Sequence, residues 1–376
     1  MKGLGIFSFF VTAMLLLGAC GGVTPGPNSG MPPPCGGQTP CFLMRPTVGD
    51  QARAFEYYAK AAQSFGVLFP DDAHRDISQL TLARWLGRWR IGQEVVVVFY
   101  DSHLLGLARE MHCFKNNTGP KAFAVIDSCL VYNFGPLAGE AGYPDPTGAL
   151  AQAISHLETG SPLPRSISAI DMYDPQSLVG GTDFFEFDGL GNITTTLLFD
   201  SEGPKFVPNA CDTCHGGRRG PSYFDTGYFL PFIPSLYTFS SRAGYTLNDQ
   251  LDKFSELNGF MPSYNRADYF LRTTSRQWLA NGPEVPPGWK QAPGFFSNVL
   301  VPYCLGCHAA LPTGTLQFFT QADFVANASR IRAAVCGQHT MPASAAAYFR
   351  FWSTGLQQLA LNDVLPPPGP REPTCQ

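Results

Sequence analysis

Cys211-Asp-Thr-Cys214-His215 and Cys304-Leu-Gly-Cys307-His308 are the stretches on which the reading of this chain turns. Each is a Cys-x-x-Cys-His run, the attachment pattern of a c-type haem. The spacing has a chemical reason. Two thiols one turn apart add to the two vinyl groups on a porphyrin edge, and the next residue, His, is carried beneath the ring to bind iron. Cys211 and Cys214 are thus expected to hold one haem with His215 as proximal ligand, and Cys304 and Cys307 a second with His308. Two haem c groups are the expected cofactors. At this Cys and His content one chance match is expected in roughly 0.006 of chains, and two in about two per hundred thousand. Zinc is the weaker alternative, because zinc ribbons separate their pairs by about 15–20 residues, whereas residues 215–303 lie between these and each pair carries an adjacent His. A thioredoxin-like redox pair belongs at the start of a helix in a strand-helix-strand unit, which the flanking sequence does not offer.

Covalent haem of this kind is attached outside the cytoplasm, and the N-terminus agrees. The chain opens MKGLGIFSFFVTAMLLLGAC: one Lys, an apolar run to about Leu17, then small residues before Cys20. That run is shorter than the roughly 20 residues needed to cross a bilayer, so it reads as a cleaved export signal. Leu17-Gly18-Ala19-Cys20 is similar to a bacterial lipobox, which predicts removal of residues 1–19 and a lipid anchor on Cys20. The expected place is extracytoplasmic, on a bacterial membrane facing the periplasm or in the outer membrane. Residues 20–44 are Gly- and Pro-rich and form a linker. The chain's 25 basic and 29 acidic side chains give a net charge of −4, which argues against a nucleic-acid partner bound through a basic surface.

Six cysteines remain outside the motifs and Cys20, and nearest-neighbour pairing joins Cys35 to Cys41, Cys113 to Cys129 and Cys336 to Cys375. Fifteen connectivities are open, with Cys113–Cys129 favoured because it staples neighbouring elements. Periodicity predicts helices over 50–66, 77–89 and 102–111, and strands over 94–100, 122–134 and 166–173. It also predicts a hairpin of 182–187 with 193–199 across Asp188-Gly-Leu-Gly-Asn192. In the second helix Leu82, Trp85, Leu86 and Trp89 form one apolar face. From 209 onward the predicted elements are helices, over 247–258, 266–279, 295–308, 323–336 and 343–356. The expected fold is an α+β N-terminal domain over 45–208, followed over 209–376 by a mainly α-helical cytochrome c-type region carrying two covalent haems.

Each iron has a sixth position that decides its work: a Met or His there makes an electron carrier, while an open one admits substrate. For the second haem the candidate is Met341 in Thr340-Met341-Pro342, with His339 as the alternative. For the first haem His112, Met172, Met261 and no protein ligand stay open, His112 leading. His74, His103 and His156 are read as packing or surface residues.

The mature chain resembles a group of bacterial exported cytochrome c-type proteins of unassigned physiological role. The resemblance covers about residues 50–355. It rests on Leu105-Gly-Leu-Ala-Arg-Glu-Met-His-Cys113, Cys129-Leu-Val-Tyr-Asn-Phe-Gly135, Gly203-Pro-Lys-Phe-Val-Pro-Asn-Ala-Cys211 with Cys214-His-Gly-Gly217, Phe229-Leu-Pro-Phe232, and Cys304 to His308 with Met341-Pro342. It implies two haems c and an N-terminal domain packed against the first, with His112 as its ligand. One departure is Asp171-Met172-Tyr173, where a carboxylate after the Met is missing. The leading functional expectation is electron transfer between unidentified redox donor and acceptor proteins. A dihaem peroxidase-like oxidoreductase with one open haem, with His112 or Glu110 as distal acid or base, is the alternative. A haem-containing sensor or binding protein is the third.

Overall fold

The computed structural model describes residues 44, 50–61, 76–87, 93–115, 125–173, 182–215, 227, 229–260, 276–308, 316–353, 355–373 and 375. The export signal, Cys20, most of the linker and the Cys35–Cys41 pair lie outside the described residues. Among the described residues no helix is long and apolar enough to cross a membrane.

Five strands in chain order make one antiparallel meander: β1 (Glu94–Tyr100), β2 (Ala108–Lys115), β3 (Val125–Phe134), β4 (Ser166–Tyr173) and β5 (Thr182–Asp188). The run Val95-Val-Val-Val-Phe-Tyr100 is β-branched and aromatic, which suits a pleated surface buried on both faces. The helix expected over 102–111 is absent. Asp101 accepts from the Leu104 amide through its side chain (3.0 Å) and from the Gly106 amide through its carbonyl (2.7 Å). Gly106 turns at φ 71, and the chain re-enters as β2 with Ala108 opposite Tyr100. This tight return leaves no room for a helix. The hairpin after β5 is partial. Asp188 gathers the 188–192 turn and Phe187 bridges Ile193, after which β6 (Thr196–Leu197) leaves to pair with β7 (Lys205–Phe206).

Helices cover one face of the sheet. α1 (Gln51–Ala61) and α2 (Leu82–Leu86) bring Tyr57, Tyr58 and Trp85 onto Leu130, Ile167, Phe185 and Phe187. Of the predicted apolar face of 77–89, Trp85 is buried, Leu82 half-buried and Leu86 exposed, and Trp89 lies outside the described residues. α3 (Pro146–Thr159) is not foreseen by periodicity. Asp145 caps it through the Gly148 amide at 2.8 Å, Pro146 opens it and Gly160 closes it at φ 75. Its Ala149, Leu150, Ala153 and Ile154 pack on Val98, Tyr100, Ala108 and Phe134.

The opposite face is built over by the C-terminal half. The helices there are α4 (Asn209–His215), α5 (Leu247–Phe260), α6 (Arg276–Asn281), α7 (Pro293–Phe295), a π-helical run Phe296–Leu305, and α8 (Gly306–His308). Then follow α9 (Gln321–Ala326), α10 (Ala328–Arg332), α11 (Ala345–Ser353) and α12 (Leu356–Val364). Val95, Val97, Phe99, Met111 and Val131 of the sheet share one hydrophobic core with Phe232, Phe254, Leu279, Trp289, Leu300 and Phe351. The halves are also laced by polar side chains. Gln250 of α5 completes the edge of β1, accepting from Val98 N (2.7 Å) and donating to Val98 O (2.9 Å). Within the C-terminal half, Asn258 of α5 pairs in the same two-bonded way with the Phe232 backbone (2.9 and 3.0 Å).

The expected fold class is therefore corrected. A cytochrome c-type helical region standing after an α+β domain is not what forms; the C-terminal helices use one face of a five-stranded antiparallel sheet as the floor of a joint core. Nor do the described residues contain a group of three or more His, Cys, Asp or Glu side chains that could hold a metal ion. The physical reason is burial. Phe232, Phe254 and Phe351 need an apolar partner, and the sheet's odd-numbered β2 and β3 positions supply it.

Candidate functional site: two cavities joined at their cysteines

Among the described residues, Cys113–Cys129 and Cys336–Cys375 form disulfides, whereas Cys211, Cys214, Cys304 and Cys307 do not. Cys113 and Cys129 are direct cross-strand partners on β2 and β3. All four motif thiols are half-buried.

The first motif sits on α4, and the second runs from the end of the π-helical run, which holds Cys304, into α8, which holds Cys307 and His308; α4 and α8 pack against each other. At the contact the Cys307 thiol is hydrogen-bonded to Cys214, and Cys214 Sγ lies 3.9 Å from Met44 Sδ. The hydrogen bond with Cys214 and burial together hold the Cys307 thiol well above its ordinary range, and burial alone pushes Cys304 up to about 12. Once folded, these sulfurs are protonated and poorly nucleophilic.

Each motif opens onto its own cavity. The first encloses ≈ 1040 Å³ of unfilled space, part of it open to solvent. Cys211, Cys214 and His215 form one side, and Phe99, Arg109, Met111, Val131, Ser168 and Glu186 of the sheet form another. The His215 ring lies 5.2 Å from that of Phe184. The second has ≈ 610 Å³ of unfilled space, likewise part of it open to solvent, between Cys304, His308, Phe318, Phe324, Arg330, Met341 and Phe351. His308 Nδ1 lies 2.7 Å from Leu316 O. A carbonyl only accepts, so Nδ1 carries the proton and the Nε2 lone pair is left for a metal. Burial lowers the His308 pKa and keeps the ring neutral.

Met341 reaches the second cavity from a loop tied down by the Thr340 and Met341 amides, both donating to Ala334 O (2.8 and 3.3 Å). The two non-glycine residues with left-handed backbone among those described, Phe318 and His339, both at φ 54, belong to this neighbourhood. The Phe318 ring lies 5.0 Å from that of His308, tilted by 32°. Such strained conformations persist where the surroundings over-determine them, and they concentrate at functional sites. His339 Nε2 is directed at Cys336 O (3.0 Å) and does not line the cavity.

His112 goes elsewhere. On a strand, successive side chains point to opposite faces. Met111 faces the first cavity, so His112 faces α3, where its Nδ1 meets Glu94 (2.7 Å) and its Nε2 meets Glu110 (2.8 Å). Glu110 also holds His156 Nδ1 at 2.6 Å. Burial pulls the His112 pKa down, but the two carboxylates outweigh it and the net shift is upward. Neither His112 nor Glu110 lines the cavity, so the pair expected to act as its distal acid or base is not brought there. Met172 is buried beside a smaller void with Cys113, Asp127 and Phe229, and Met261 lies outside the described residues. The methionines that do line the first cavity are Met44 and Met111. Neither is among the ligands expected from the sequence. Strand alternation would have singled out Met111, but no sequence signal marks Met44.

The residues fit a covalent haem at each motif. A porphyrin brings four of its iron's ligands, so the chain needs only thiols in place, a neutral His and an apolar hollow. Both hollows carry a methionine. Compared with known proteins, the chain matches no family, no curated sequence and no solved structure.

Proposed function

We propose that this chain is an extracytoplasmic electron-transfer protein. It would hold two haems c, through Cys211, Cys214 and His215 and through Cys304, Cys307 and His308. Cys20 would anchor it by lipid. The observation that carries the reading is the Cys214–Cys307 contact: two attachment motifs far apart in sequence meet at one point, with a separate apolar hollow behind each. Transfer between two redox centres requires closeness, and joined attachment edges provide it. A bound haem supplies a one-electron iron couple whose potential is set by axial ligand, burial and nearby hydrogen bonds.

The chain's own residues divide that work. Leu316 O orients His308; Met341, which lines the second hollow, would help hold the iron there; Phe318 and Phe324 would exclude water. In the first hollow, Met44 and Met111 replace His112 as candidate ligands. The raised pKa values of Cys304 and Cys307 would make their addition to vinyl groups slow once folded, so attachment would precede the final closing of the α4–α8 contact.

The test is a pyridine haemochrome count on the mature protein, with oxidised and reduced optical and EPR spectra. Two low-spin haems, one showing the far-red band of Met ligation, are expected. A count below two overturns the reading, and a high-spin haem that binds carbon monoxide transfers support to a dihaem peroxidase-like oxidoreductase.

A further inference from the structure

The sheet wall of the first cavity carries a polar cluster that the electron-transfer reading does not use. Arg109 and Asn133 are cross-strand partners on β2 and β3, and Ser168 and Glu186 are partners on β4 and β5. All four line the cavity. Their hydrogen bonds run one way. Asn133 Nδ2 donates to Ser166 Oγ (3.2 Å) and Ser168 Oγ (3.3 Å), and Ser168 Oγ donates to Glu186 Oε2 (2.7 Å). Arg109 is held at its other end by Asp101, Nη2 to Oδ2 at 3.0 Å.

This leaves Arg109 Nε, Asn133 Oδ1 and Glu186 Oε1 buried with no hydrogen-bond partner among the described residues. Asn133 and Glu186 are each 1% exposed. A buried polar atom without a partner is uncommon, and three converging on one wall of a cavity point to a ligand. A sheet face meant only for packing would carry Val or Leu at these positions, as it does at Val97 and Val131.

The unmatched atoms describe what would satisfy them. Arg109 Nε–H is a donor bearing positive charge. Because Oε2 already accepts from Ser168, a proton on Glu186 sits on the unmatched Oε1 and makes it a second donor. Burial pushes Glu186 up to about 8, so this proton is present at neutral pH. Asn133 Oδ1 is an acceptor. A carboxyl group is a small unit that accepts from both donors and, in its acid form, donates to the third atom.

We propose that Arg109, Asn133 and Glu186, braced by Ser168 and Asp101, form a carboxyl-binding subsite in the first cavity. The carboxyl has two sources: a propionate of the haem attached at Cys211 and Cys214, or a free small carboxylate. Only the first source rests on the proposed function.

The experiment uses the full chain as purified, with its haem content counted independently. Acetate is titrated in and followed by calorimetry and by the protonated-carboxyl stretch in infrared difference spectra, while resonance Raman reports haem propionate modes. If the ligand is free, acetate binds and shifts the carboxyl stretch, and Arg109→Gln or Glu186→Gln weakens it by about tenfold. If the ligand is a propionate, acetate leaves the protein unchanged, and both variants shift a propionate mode. A variant that does not fold leaves the infrared and Raman readings of the unsubstituted protein to decide. Neither acetate binding nor a propionate mode sensitive to this cluster overturns the proposal and leaves the cluster to ordered water, whatever the haem count.

Discussion

The two cavities begin from the same five-residue motif and are finished differently. The second is walled by helices and loops, closed by Phe318, Phe324 and Phe351, and entered by Met341. The first is larger, uses a β-sheet as its floor, and buries Asn133, Glu186 and the Nε atom of a half-buried Arg109 among apolar neighbours. A local motif places thiols and a proximal histidine, but the opposite wall comes from whatever the chain folds against it. The second site therefore presents a methionine and little polarity, while the first presents both methionine and unmatched hydrogen-bonding groups.

That contrast is open to direct attack. The largest effect is expected from Cys304→Ala with Cys307→Ala, which should lower the haemochrome count from two to one and leave the first haem's spectrum in place; loss of both would show that the cavities are not independent. Next, Met341→Ala should abolish one far-red band and lower one potential by a substantial part of the roughly 0.8 V that axial ligands span. The same substitution at Met44 or Met111 should alter the other haem, in redox titration as in absorption.

The disulfides separate the sites by stability. Removing Cys113–Cys129, a 16-residue separation beside the first cavity, is expected to cost about 3 kcal/mol; Cys336–Cys375, a 39-residue separation beside the second, about 4 kcal/mol, by thermal or denaturant unfolding. An equal disturbance of both haem spectra by either removal would defeat the contrast.

A smaller effect is pH-dependent. Burial raises Glu186 from 4.5 to about 8, so the folded chain binds a proton there that the unfolded chain has released. Stability should fall as pH rises through that window, by up to about 1.4 kcal/mol per pH unit, and Glu186→Gln should remove this slope. The smallest effect belongs to His112. Its raised pKa means a stabilisation fully present below the ordinary imidazole value and lost as pH rises through the raised one. His112→Ala should lower stability by about 1 kcal/mol and leave both haem spectra unchanged; a spectral change would restore it as a ligand.

Legibility followed the range of the forces. β1, β4 and α5 were readable because runs such as Val95-Val-Val-Val and the spacing of 247–258 carry their own period. α3 was missed although Asp145-Pro146 and Gly160 mark its ends, since its apolar stripe is narrow and alanine-rich. The helix expected over 102–111 failed because its periodicity was overridden by the Gly106 turn and the pairing of β2 with both neighbours. His112 was the instructive error. It stands one residue from Met111, and on a strand one residue is the whole difference between facing the cavity and facing α3.

By itself the sequence determined which thiols and histidines stand together, because a motif closed within five residues needs nothing beyond its own helical turn. It also set the alternation that builds the sheet, and the caps that end α3. Only the tertiary structure decided that the two motifs meet at Cys214 and Cys307, that Met44 and Met111 line the first hollow, and that Arg109 and Glu186 share its wall. Those are contacts between residues distant in sequence, chosen by where large apolar side chains find burial, and no local pattern encodes them.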